Sequence, residues 1–211
     1  MVLLVTVLAG CGHAISGTAT WPGARLERVV LTAADFPQGV QYDRIIHGPG
    51  QPGVVGGPPA MLSAPEGCSD GLTRAIADSA ERGPGSAAQY VVGYDGARIV
   101  MTVLTSPLDL RRLAATADRC AHFEAFFDRL APGIPMTTIK LQAPRPNALV
   151  YRQTMTLKNV ESSVYFSFEN IGSRMGVFGI AFPTPNPSIA VKGSLPQTFL
   201  DITAKQAGRA E

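Results

Sequence analysis

Residues 149–182 read LVYRQTMTLKNVESSVYFSFENIGSRMGVFGIAF. Over 149–157, Leu149, Tyr151, Gln153, Met155 and Leu157 alternate with Val150, Arg152, Thr154 and Thr156. Over 163–171, Val164, Phe166 and Phe168 share one face, and 174–182 is a further apolar run. Period-two alternation over successive segments with short connections predicts adjacent antiparallel strands.

Working outward, Ile139 and Leu141 alternate with Thr138 and Lys140 in 137–142. The aromatic segment 122–129 fits strand or helix. Residues 89–94 and 98–105 predict two strands joined by Asp95-Gly96, where Gly accepts the positive φ of a tight hairpin turn. Val40 to His47 is a further candidate strand. Thr32 and Asp35 form a helix-start pair that Pro37 and Gly39 end within a turn. Ser63-Ala64-Pro65-Glu66 predicts a helix start, with Cys68, Leu72, Ala75, Ile76 and Ser79 on one face. Ser106-Pro107-Leu108-Asp109 opens a second helix with Leu110, Leu113, Ala114 and Ala117 on one side. Residues 196–207 fit a closing helix with Phe199 and Ile202 inward. Helices and strands do not alternate one for one. The expected class is therefore α+β, an antiparallel sheet with two or three helices packed on it.

The chain has 211 residues, 45% hydrophobic and 16% charged, a composition for a packed core and not for disorder. Its net charge of +2 offers no basic footprint, so nucleic acid is not an expected partner. The 22 Gly and 17 Pro predict many turns.

The first charged side chain is Arg25. Residues 1–10, MVLLVTVLAG, are too short to span a bilayer and read as the apolar part of a signal peptide, although without a preceding Lys or Arg. They end in Leu8-Ala9-Gly10-Cys11, which resembles the bacterial lipobox: small residues admit the peptidase, and the freed Cys11 takes lipid. The expected layout is a signal peptide at 1–10, a flexible tether at 11–25 and a single domain at 26–211. The expected location is the outer face of the cell membrane, held by lipid on Cys11. In an exported chain the remaining pair, Cys68 and Cys120, predicts one disulfide. It would close about 53 residues and contribute on the order of 4 kcal/mol. The alternative is two separate buried thiols. A zinc site lacks CxxC or HxxxH spacing.

Two motifs touch on catalysis or cofactor binding. Gly67-Cys68-Ser69-Asp70-Gly71 matches the nucleophile elbow G-x-S-x-G, which needs a strand, a sharp turn and a helix. It is expected inside the first helix, with only His122 downstream as a base. Gly48-Pro49-Gly50-Gln51-Pro52-Gly53 matches G-x-G-x-x-G, but Pro49 and Pro52 remove backbone donors a pyrophosphate would need. His13, His47 and His122 are scattered, and no metal, cofactor or catalytic residue is expected. Tyr90, Tyr94, Phe123, Phe126, Phe127, Tyr151, Phe166, Phe168, Phe178 and Phe182 are expected mostly in the core.

Together, the lipobox, LTAADFPQG (31–39), SAPEGC (63–68), ADRCAHF (117–123) and LQAP (141–144) resemble mycobacterial lipoproteins and secreted proteins related to the extracellular sensor domain of the PknH kinase. The resemblance covers most of 26–208. It implies an antiparallel sheet with packed helices, a disulfide-tethered helix, a cleft for an unidentified ligand and no catalytic residues. Kinase-type sensor domains carry two disulfides, whereas Cys68 and Cys120 allow one, and no kinase domain is present here. The expected function is a non-enzymatic ligand-binding or sensor-type module for a small-molecule, peptidic or protein ligand of the envelope, with the Gly/Pro loop 48–59 bordering its site. The alternatives are an envelope hydrolase using Ser69 and a carrier of an apolar lipid.

Overall fold

Nine strands form one sheet, antiparallel throughout, in the computed structural model, which describes residues 24–45, 61–80, 85–94, 96–184 and 191–211. The strands are β1 (Gln41–Ile45), β2 (Leu62–Ala64), β3 (Ala87–Tyr94), β4 (Gly96–Leu104), β5 (His122–Phe126), β6 (Ile134–Leu141), β7 (Ala148–Leu157), β8 (Val160–Ile171) and β9 (Met175–Thr184). Their order is β1-β3-β4-β9-β8-β7-β6-β5-β2. Four α-helices, α1 (Ala24–Val29), α2 (Gly71–Ala80), α3 (Leu110–Arg119) and α4 (Gln197–Ala210), and one 3-10 turn at Ala33–Asp35 behind Thr32 are the helical elements of the described residues. The class is α+β, and the stretch 149–182 supplies the central strands β7, β8 and β9.

The period-two pattern feeds two cores. Tyr90 and Val92 of β3, Ile99 and Met101 of β4, and Val177 of β9 meet Leu26 of α1 and Phe199 of α4 on one face. Val91, Val100, Phe166, Phe168, Phe178 and Ile180 meet Leu72 and Ile76 of α2 and Leu113 and Ala117 of α3 on the other. Phe168 stacks on Phe178 with ring centroids 5.3 Å apart. The centre of the sheet is thus buried on both sides, which is why β9 shows an almost continuous apolar run.

Two local readings change. Ser63 does not cap a helix; it lies in β2, and its hydroxyl accepts from the backbone N–H of Cys68 at 2.9 Å and of Ser69 at 3.3 Å. The capping chemistry is diverted into a turn, where Gly67 takes φ +75°, and α2 begins only at Gly71. Cys68 therefore precedes the helix, while Leu72 and Ile76 are buried as expected. Residues Ala24 and Arg25, read as the end of the tether, belong to α1. The ambiguous segment at 122 is the strand β5. Asp109 caps α3 by accepting from the N–H of Arg112 at 3.0 Å.

A disulfide joins Cys68 to Cys120, the C-terminal cap of α3, with Cα atoms 5.4 Å apart. Its sulfurs pack with Phe123 and Ala125 of β5 as a third, smaller cluster. The C-terminal helix is held near its last turns as well. Gln206 accepts from Leu31 N–H at 3.1 Å and donates to the Val29 carbonyl at 2.9 Å. Arg209 pairs with Asp35 at 3.1 Å. Thr32 donates its N–H to Asp35, and this bond, with Arg209 and Lys205 nearby, holds the carboxyl of Asp35 below its ordinary value.

Candidate functional site

A groove of about 270 Å³ lies on the α2/α3 face, at the sheet edge formed by β1, β3 and β4. Strand register explains it. One cross-strand row runs Gln41, Gly93, Arg98, Phe182, and the next runs Asp43, Val91, Val100, Ile180. Gly93 has no side chain, so the floor drops between Gln41 and Arg98. Val91 and Ile45 extend the apolar core into this floor.

Asp43 and Arg98 are both exposed and stand on strands separated by β3. With neighbouring strands about 4.8 Å apart and a two-residue offset between their rows, they flank the floor diagonally at roughly 12 Å. Thr184, at the end of β9, adds a hydroxyl at the rim. An apolar floor between opposite charges can seat a compact ligand that carries both a cationic and an anionic group. Ile45, the last residue of β1, lines the groove, and the chain continues from it into the Gly/Pro segment 48–59, which lies outside the described residues. None of these residues stood out in the sequence. The one available signal was Gly93, a glycine inside an apolar strand, which marks a close approach or a missing side chain.

A second cleft of about 320 Å³ separates the start of α2 from α3. Arg112, Thr116 and Arg119 line it at helical spacing, opposite Glu66 and Arg74. Two of its guanidinium groups serve the turn. Arg119 donates to the Glu66 carbonyl at 3.0 Å, and Arg74 pairs with Asp70 at 2.6 Å. Neither cleft is an apolar chamber enclosed between sheet and helices.

Ser69 sits in the bend before α2, not inside a helix. The sequence around it does run strand, turn, helix, yet its hydroxyl donates to the Met61 carbonyl. His122 is exposed on β5, and no hydrogen bond links it to Ser69 among the described residues. No group of three His, Cys, Asp or Glu side chains fit to hold a metal occurs among the described residues. Of the aromatic set, Tyr90, Tyr94, Phe123, Tyr151, Phe166, Phe168 and Phe178 are buried, whereas Phe127 is 74% exposed. Burial pushes the hydroxyl of Tyr90 well above the usual tyrosine range, and that oxygen has no hydrogen-bond partner among the described residues.

Cys11, His13, His47 and the G-x-G-x-x-G segment fall outside the described residues. No helix among the described residues is long and apolar enough to cross a membrane. No protein-family model, curated protein or solved structure matches the chain.

Proposed function

We propose that the chain is an exported, lipid-anchored module of the cell envelope that binds a small or peptidic ligand without turning it over. The observation that carries this proposal is the groove over Gly93, with Asp43 and Arg98 on its flanks. The Cys68–Cys120 disulfide supports an oxidising, exported setting. The Leu8-Ala9-Gly10-Cys11 ending of an uncharged run supports lipid on Cys11 and a place on the outer face of the membrane. The resemblance to lipoproteins related to the PknH sensor domain agrees with a ligand cleft and the absence of catalytic residues.

Native mass spectrometry of the protein extracted from its own membrane tests the groove. A retained small ligand is expected on the wild type. Arg98→Glu, which places two acids across the floor, should weaken retention at least about tenfold. Equal retention by Arg98→Glu would remove the groove from the proposal. A reproducible ester or amide turnover lost in Ser69→Ala would replace binding with hydrolysis.

A further inference from the structure

Six large apolar side chains are exposed among the described residues, and five of them gather at one end of the sheet. Leu62 opens β2 opposite Phe126, the last residue of β5. Phe127 and Leu130 follow in the β5–β6 loop, and Leu157 and Val160 flank the β7–β8 turn. Register places these loops side by side. Met136 of β6 pairs with Met155 of β7, so the start of β6 adjoins the end of β7.

The end of this ribbon is paired only to itself. Pairing of β8 with β9 begins only at Tyr165, and pairing of β7 with β6 stops at Met155. Beyond them Thr156 pairs with Glu161 and Leu157 with Val160, bonded to neither neighbouring strand. Lys158 and Asn159, at φ 49° and 65°, make its two-residue turn. The adjacent loop is also built to display its residues. Asp128 accepts from the N–H of Leu130 and of Ala131, each at 2.8 Å, and this turn leaves Leu130 97% exposed.

We infer that this end of the sheet is a membrane-contact tip, with Phe127, Leu130, Leu157 and Val160 entering the interfacial layer of a lipid bilayer. The inference rests on the membrane-side location proposed above. Exposed apolar side chains grouped in this way mark an interaction surface. Apolar side chains carried on several separate loop ends suit a deformable lipid surface better than a rigid partner, which would need a pocket matched to each. Reach permits it too: the chain from Cys11 to Ala24 can extend about 45 Å. Arg129 and Lys158 are matched by Asp128 and Glu161, so insertion should be driven by apolar burial and indifferent to lipid charge.

The chain from residue 11 onward carrying Cys11→Ala separates this contact from both the apolar leader and any lipid anchor. It should float with vesicles of phosphatidylcholine, and equally with vesicles containing phosphatidylglycerol. Adding Phe127→Ser and Leu130→Ser should weaken partitioning at least about tenfold while leaving the Tm unchanged, because both side chains are already in water. Val160→Ser, on the other loop, should weaken it independently and decides the matter should the double variant misfold. Failure of the Cys11→Ala chain to float, unchanged flotation of the variants, or binding confined to anionic vesicles would overturn the inference. So would a dimer that the same substitutions dissociate, because the tip would then join copies of this chain. Ligand retention in the groove is read separately, so either proposal can fail alone.

Discussion

The two halves of the sheet are held by different means. β3, β4, β9 and β8 carry helices on both faces, and Tyr90, Ile99, Met101, Phe168, Phe178 and Ile180 are fully buried there. In the other half β7 and β6 meet α3, while β5 and the three-residue edge strand β2 lie beyond them beside a small cluster around Cys68 and Cys120. Where two layers of side chains fill both faces, burial suffices. Where one face is thinly covered, a covalent link restrains the edge, and apolar side chains remain in water at the tip. The contrast shows that one sheet can combine a rigid platform with an edge left free for contact.

Removing the link should give the largest effect. Cys68→Ala with Cys120→Ala should cost about 4 kcal/mol. Hydrogen exchange should then show β2 and β5 loosening before β4 and β9 do. Uniform loosening of all strands would mean that the two halves unfold as one unit.

The covered half can be broken from inside. A Cβ on Gly179 would stand 2.8 Å from the Met101 sulfur and 2.9 Å from Phe199. Gly179→Ala should therefore lift α4 and cost about 2 kcal/mol, read from chemical denaturation. An unchanged midpoint would show that α4 docks more loosely than its contacts imply.

Tyr90 sharpens the comparison at the smallest scale. Its ring stacks on Tyr42 with centroids 5.6 Å apart, while its buried hydroxyl lacks a partner among the described residues. Tyr90→Phe keeps the packing and discards the unpaired group. Stability should stay level or rise by up to about 1 kcal/mol. A loss would mean that the hydroxyl has a partner, such as a buried water.

Much of this architecture was legible in residue order. Alternation of side chains fixes which residues can share a face, so β6, β7 and β8 follow from spacing, and β9 from its apolar run, whereas the two cores on opposite faces do not. Asp109 ahead of Leu110 marks a helix start because its carboxylate can reach the N–H three residues on. Cys68 and Cys120 were the pair expected, since reading Cys11 as a lipidation site leaves only these two for a disulfide. The start of α2 was misplaced because Ser63 can satisfy the same backbone donors in a turn as at a cap, and local chemistry does not distinguish the two.

Sequence by itself determined the antiparallel class, the apolar faces and the disulfide pair, because these depend on periodicity and on a count. Only the tertiary structure decided the groove, since Asp43, Gly93 and Arg98 meet through strand register and not through proximity in the chain. The apolar tip was likewise hidden, because Phe127 and Leu130 look like core residues until strand ends bring them beside Leu157 and Val160 in water. Which face a strand buries is written in its alternation; which loop ends up next to which is set by the order of strands in the sheet.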